Sequence, residues 1–341
     1  IGTGASIEPG LGNSVAHNFA TTAVEDTADS FDLQAGGAVN LTAGHHLVIY
    51  GTRYLNTNPG IASRAGLDNT ILINGSPISY GAASSYSRDG SNNNNFVRGG
   101  SIVEVAQGDS VGFESKRTDN NAQLRIAQQD ADLQLVKLDD SLSYLRLRAS
   151  ANAANLMSNT SAGPSTVSYD VQDEIDAGFT HTSGSGDITL DEAGRYLVFA
   201  NTGFRISGGN RHRQAITQRL ALDGTPVEDS STVVYIRYSG SGDGLGGLMV
   251  TGASSVGTII QTTADNSVLN VEVLRDNNPS TTNTAVALEA ALTGLTILKL
   301  PNYGEVIRLS GPAQEISFAQ GNPETPLDLS DVSTVSNASF S

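Results

Sequence analysis

An internal duplication constrains this chain more than any other feature. Ile71-Leu72-Ile73-Asn74-Gly75-Ser76-Pro77-Ile78 returns as Leu220-Ala221-Leu222-Asp223-Gly224-Thr225-Pro226-Val227. Both carry Asn-Gly or Asp-Gly between apolar runs, a dipeptide that accepts the positive φ angles of a tight hairpin. The correspondence continues in order on both sides. Gly44-His45-His46-Leu47-Val48-Ile49-Tyr50 answers Gly194-Arg195-Tyr196-Leu197-Val198-Phe199, and Tyr86-Ser87-Arg88 answers Tyr235-Ile236-Arg237. Asp109-Ser110-Val111 answers Asn266-Ser267-Val268, and Arg117 with Asn120-Asn121 answers Arg275 with Asn277-Asn278. Each copy closes on an alternating apolar run, Leu133 to Leu138 and Leu295 to Leu300. Matches in one order mark a tandem duplication of a unit of roughly 160 residues.

The pattern then begins a third time. Tyr144-Leu145-Arg146-Leu147-Arg148 corresponds to Glu305-Val306-Ile307-Arg308-Leu309, and Val167-Ser168-Tyr169-Asp170 with the stretch to Phe179 corresponds to Pro326-Leu327-Asp328-Leu329 with the stretch to Phe340. The expected division is therefore 1–141, 142–302 and 303–341. In register, Phe31 takes the place of Phe179, and the counterpart of Tyr144 to Arg148 falls at the very start of the chain. The first unit is thus expected to lack its opening strand, while 303–341 holds a surplus one. A sheet edge without a neighbour accepts a strand from another chain. Glu305, Val306, Ile307, Arg308 and Leu309, with Leu327 and Leu329, are the candidate donor segment. Such a contact is head-to-tail and builds a filament when it does not close on itself. The competing expectation is that the chain is a segment of a longer array.

Short strands account for both the pattern and the composition. Charged residues make up only 16% of a chain with 37 glycines, and turn signals recur every 8 to 15 residues or so with no sustained helical period. The expected fold class is all-β: two tandem antiparallel jelly-roll sandwiches plus the first strands of a third unit. The stretch Ala149 to Leu156 is short and interrupted by asparagine, and reads as a loop.

An opening strand, Tyr169-Asp170 leading to Phe179, the run Ala193-Gly194-Arg195-Tyr196-Leu197-Val198-Phe199 and a closing apolar strand together resemble the tumour-necrosis-factor and complement globular-head jelly roll. The resemblance spans nearly all of 142–302 and, less closely, 15–141. It implies modules of a kind found in phage structural and bacterial surface proteins, and subunits packed as trimers. The first unit departs from the pattern: it has His45 and His46 where the second has Arg195 and Tyr196, and it carries the Asn92 to Asn95 loop.

Little in the sequence points to catalysis. Asp139-Asp140, Asp173-Glu174 and Asp191-Glu192 are carboxylate pairs, but each lies in an expected turn, where solvated acids are common. His45 and His46, adjacent in a strand, point to opposite faces and cannot share one metal. Ser183-Gly184-Ser185-Gly186 and Ser239-Gly240-Ser241-Gly242 have no strand-to-helix context for a nucleophile, and the run Gly240 to Gly247 lacks the lysine of a phosphate cradle. With no cysteine, thiolate chemistry is excluded. Calcium is the one cation with ligands on offer, at Asp187, Asp191 and Glu192 or at Asp276 and Asn277, without a specific loop motif. Asn40, Asn74, Asn159 and Asn337 begin Asn-x-Ser/Thr triplets, which a chain rich in these residues yields by chance.

The formal charge of −16 repels nucleic-acid phosphates and anionic lipid. No apolar run reaches the length of a membrane helix, and residues 1–20 show no signal-peptide pattern. These readings lead to a non-enzymatic structural protein on a virion or in another extracellular assembly, as fibre, decoration or capsid-associated module. Its partners are copies of itself, in a trimer or head-to-tail filament, and a cell-surface glycan or receptor. The alternative is a secreted bacterial adhesin or matrix protein that polymerises head-to-tail. A glycosidase on the same sandwich requires two facing carboxylates, which the duplicated positions do not supply.

Overall fold

A computed structural model describes residues 6–7, 14–17, 31–34, 38–56, 65–87, 94–117, 124–127, 131–152, 156–157, 163–206, 213–237, 251–275, 286–301, 306–310 and 331–335. Among the described residues every regular element is a strand. In chain order these are β1 (Ser6–Ile7), β2 (Ser14–Ala16), β3 (Phe31–Leu33), β4 (Val39–Leu41), β5 (Gly44–Asn56), β6 (Ala65–Ile73), β7 (Ser76–Ser87), β8 (Asn94–Val105), β9 (Ser110–Arg117), β10 (Leu124–Ala127) and β11 (Asp132–Lys137). There follow β12 (Tyr144–Arg148), β13 (Ser165–Thr166), β14 (Val171–Ile175), β15 (Phe179–His181), β16 (Ile188–Leu190), β17 (Gly194–Ile206), β18 (Arg213–Leu222), β19 (Thr225–Pro226), β20 (Thr232–Arg237), β21 (Thr251–Thr262), β22 (Ser267–Arg275) and β23 (Val286–Leu300). The last two are β24 (Val306–Ser310) and β25 (Asp331–Val335).

These strands build two jelly-roll sandwiches. In the first, the sheet β3-β4-β9-β6-β7 faces a sheet in which β5 carries β8 on one edge and β10 and β11 on the other. In the second, β15-β16-β22-β18-β20 faces β14-β12-β23-β17-β21. The reason for each strand is visible in its burial. In β22, Ser267, Leu269, Val271 and Val273 turn inward and alternate with Val268, Asn270 and Glu272, the period of two that a half-covered sheet demands. In β9, Val111, Phe113 and Ser115 do the same. One core gathers Val48, Tyr50, Leu67, Ile71 and Phe113, and the other Leu145, Leu147, Tyr196, Val198, Ile216 and Ile297.

The duplicated turns are built alike. Asn74 and Asp223 each adopt φ 51°, followed by Gly75 at 74° and Gly224 at 76°, so both hairpins turn through two positive-φ residues. Asn74 Nδ2 donates to Asp109 Oδ1 at 2.7 Å and its Oδ1 accepts the Ser110 N–H at 2.9 Å. Asp223 Oδ1 accepts the Val268 N–H at 2.7 Å.

The described chain divides into two compact units, Ile1–Lys299 and Leu300–Ser341. Both sandwiches belong to the first. The second contains the hairpin β24–β25, paired antiparallel from Val306↔Val335 to Ser310↔Asp331. β24 (Val306–Ser310) and β12 (Tyr144–Arg148) are each five residues long, and matching them end to end sets Arg308 on Arg146. In the second sandwich β12 pairs with β14 in the same way and, on its other edge, with β23. At the matching place in the first sandwich, β11 pairs with β5 and is an edge strand among the described residues.

Candidate functional site

The most developed polar site lies where the two sandwiches meet. Strand β5 alternates, so His46 points inward, fully buried, with Nδ1 3.2 Å from Gly44 O, while His45 points out of the first sandwich. The expectation that adjacent histidines serve opposite faces holds. His45 stacks on Tyr144 of β12 with ring centroids 3.7 Å apart and an interplanar angle of 8°. Its Nε2 lies 2.9 Å from Glu174 Oε1 and its Nδ1 3.4 Å from Asp140 Oδ1. Two carboxylate acceptors on the two ring nitrogens suit an imidazolium, which donates from both.

Arg146 completes the cluster. It is one of the two arginines of the opening strand, and it points out of the second sandwich. Nη2 donates to Glu104 of β8 at 2.9 Å and lies 3.5 Å from Glu174 Oε2, while its Cζ stands 5.7 Å over the Tyr80 ring. Burial alone would lower the His45 pKa, but the bond and charge of Glu174, with Asp140 and Glu104, raise it above the usual imidazole value. Burial works against the Glu174 charge, yet His45 and Arg146 hold its carboxyl below the usual range. Ligand atoms of His45, Glu104 and Glu174 lie within 4.8 Å of one another, a set with one nitrogen and two oxygens for a divalent cation. The Arg146 guanidinium already supplies positive charge to both carboxylates, so the arrangement is satisfied as an ion-pair network.

The rest of the junction is backbone brought close to side chains. Asn201 Nδ2 donates to Tyr80 O at 2.6 Å, Ile102 N donates to Thr296 Oγ1 at 3.3 Å, and Ala253 N donates to Ser84 Oγ at 2.7 Å. Small residues permit this approach: a Cβ at Gly294 would come within 2.9 Å of Tyr80 Cα, and one at Gly100 within 3.0 Å of the Phe199 ring. Tyr86 and Tyr235, a duplicated pair, meet at 5.3 Å. Beside the junction opens a cleft of about 920 Å³ lined by residues of both sandwiches, among them Asp68, Lys116, Arg146, Arg148, Asp173 and Glu289. Burial pushes the Asp68 carboxyl up to about 7 against the opposing pull of a 2.5 Å bond from Ser84 and the Lys116 charge.

The sequence-expected residues are placed as follows. Asp140 and Glu174 join the junction, whereas Asp139 accepts the Ser141 N–H at 2.9 Å and Asp173 pairs with Arg148 at 3.0 Å. Hydrogen bonds hold Asp139 and Asp140 below the usual carboxylate range, from the Ser141 and His45 backbone respectively. The calcium candidates take separate partners: Asp187 accepts from Asn270 at 2.8 Å, Asp191 from Thr180 at 3.3 Å, and Glu192 pairs with Lys299. Asp276, Asn277, the run Gly240 to Gly247, Asn159 and Asn337 lie outside the described residues, as do Glu305, Leu327 and Leu329. Val306, Ile307, Arg308 and Leu309 form β24. Sequence reasoning missed Glu104, Arg146 and Tyr144 as site residues.

No protein-family profile and no curated protein matches the chain. Among solved structures, murine APRIL at pH 8.0 is similar at 13% identity and a TM-score of 0.29, over 47% of this chain and all of that one. The tandem CBM22-1-CBM22-2 domain of Paenibacillus barcinonensis Xyn10C matches at 12% and 0.21, over 86% and 99%. A structure of infectious bursal disease virus Gt strain matches at 12% and 0.25, over 86% and 66%. Likeness at this level carries no functional information.

Proposed function

We propose that this chain is a non-enzymatic structural protein that assembles with copies of itself on a virion surface or in another extracellular assembly, and that 303–341 completes the first sandwich of a neighbour. The observation that supports this reading is a matched pair of features. Strand β23 is covered along its edge by β12, which is the first strand of the hairpin β12–β14. Its counterpart β11 is an edge strand, and β24–β25 repeats the covering hairpin. An added strand satisfies the edge N–H and C=O groups and fills the pockets between side chains. Transferring the register of Leu145↔Ile297 and Leu147↔Leu295 sets Ile307 opposite Leu135 and Leu309 opposite Leu133.

Deleting 303–341 tests the reading. Light scattering should show large species from the full chain and markedly smaller ones from the truncated chain. Equal assembly by both would remove the donor role. Absence of any association by the full chain, across a concentration series, would remove the structural role with it. Long fibres as the full-chain product would select the adhesin or matrix version of the same proposal.

A further inference from the structure

The junction joins two different surfaces. The first sandwich contributes a rim, strands β7 and β8, where Ser84 and Gly100 touch the second. The second contributes the outer face of its sheet β12-β23-β17-β21, where Thr296, Asn201 and Ala253 receive that rim. Ile102, Phe199, Ala253 and Leu298 are all buried but belong to neither hydrophobic core, which is how residues sealed between sandwiches behave.

Duplication gives each sandwich both surfaces. His45 and Glu104 at one end of the β5-β8 face and Tyr235 of the second rim also enter the junction, but among the described residues the positions matching Ser84, Ala253 and Leu298 stay exposed. The second sandwich has its own rim, β20 and β21. The first has its own face, β11-β5-β8. Counterparts follow from the strand registers. Counting along the duplicated runs puts Leu298 on Val136, and Ser84 on Val233 two residues before Tyr86 and Tyr235. The pairs Arg53↔Phe96 and Gly203↔Ala253 put Ala253 on Phe96. Leu298 and Ala253, on the used face, are each 1% exposed, whereas Val136 and Phe96 on the other face are each 50% exposed. Ser84, on the used rim, bonds across the junction, and its counterpart Val233 is 64% exposed. Among the described residues the exposed large hydrophobics are Phe96, Val136, Ile175 and Val233. Three of the four thus fall on the unused copies of the two joining surfaces.

We infer that a second copy of this chain docks the rim of its second sandwich, β20 and β21, onto the β11-β5-β8 face of the first sandwich, repeating between chains the junction that exists within one. The occupant is set by the surface: the rim this face is shaped for is carried by the chain itself. Since Ser84 lies against Ala253 within the chain, Val233 of one copy lies against Phe96 of the next. The contact is heterologous, so each copy gives one surface and receives at the other. This deepens the proposed assembly role but does not pass through the hairpin β24–β25, so either contact can fail alone.

The chain has no cysteine, which makes single-site cross-linking direct. Tagged Val233→Cys and untagged Phe96→Cys, both full-length, are mixed and treated with a short bis-maleimide. The expected result is a tagged–untagged covalent dimer in the mixture, at least about tenfold above the yield from either variant alone. Equal yields from the mixture and from each variant alone, or no dimer although both thiols react with a monofunctional maleimide, overturns the inference. A second arm uses Val233→Glu, which leaves both cores untouched. It should keep the wild-type circular dichroism and shift the sedimentation profile toward smaller species, and an unchanged profile counts against the inference.

Discussion

Replacing His45 with Phe isolates what the ion-pair network at the junction contributes. The Phe ring retains the stack on Tyr144, worth about 0.5–1.5 kcal/mol in such pairs, and removes both carboxylate contacts. The charge-assisted bond to Glu174 is largely shielded from water and is worth about 1.5–3 kcal/mol. Asp140 is more than half exposed, so its contact adds less than about 1 kcal/mol. Arg146 stays 3.5 Å from Glu174 and limits the loss from stranding that carboxylate. The expected cost near pH 6 is about 2 kcal/mol.

The same cost should depend on pH in one direction. A His pKa raised by folding contributes stability that is complete below the unfolded value of 6.5 and fades as pH climbs through the folded value. Glu174, whose carboxyl is held low, stays ionised across that range. Once pH passes the folded value the neutral ring keeps an ordinary hydrogen bond of about 1 kcal/mol, so the gap between wild type and His45→Phe should narrow, by up to about 1 kcal/mol, on the way to pH 9. Urea unfolding at the two pH values measures both gaps. A gap under about 0.5 kcal/mol near pH 6, within the range of ordinary surface changes, or one that widens on going to pH 9, would refute the reasoning.

Other consequences follow from packing. Gly294→Ala pushes a methyl against Tyr80 Cα across the junction and should cost about 1–3 kcal/mol in urea unfolding, because backbone rather than a flexible side-chain tip is in the way. Leu147→Ala empties a fully buried position and should lower stability by about 2–5 kcal/mol, read by the same titration. His17 is buried against Phe113 with its pKa pushed down to about 4 by burial, so the unfolded chain takes up a proton there first. Stability should fall as pH drops from 6.5 toward 4, and His17→Gln should flatten that limb of the acid-unfolding curve.

The parts of this architecture that repeat locally were legible in the chain. The Asn74-Gly75 and Asp223-Gly224 turns announced hairpins because positive φ is a backbone demand met by few residues. Alternation in β9 and β22 announced one covered face. The junction was harder to read because its partners are far apart in sequence, as with His45 and Glu174 or Ser101 and Thr296. Strand β17 did carry a clue. Tyr196 and Val198 face the core while Leu197 and Phe199, between and beyond them, are apolar on the other side, so both faces of that strand had to be covered. Its counterpart β5 has Ile49 at the same place, only partly buried. Sequence alone does not distinguish a face that is covered from one that is available.

The pairing of β12 with β23 also decides how the second sandwich answers a mechanical load. These are its first and last strands, antiparallel, with Tyr144 opposite Leu298 and Arg148 opposite Gly294. The polypeptide therefore enters and leaves at the same end. A pull applied along the thread opens that ladder like a zip, one cross-strand pair after another, instead of loading all its hydrogen bonds together. Tensile strength in any array of such sandwiches must come from the lateral contacts between them, where many bonds would have to break at once.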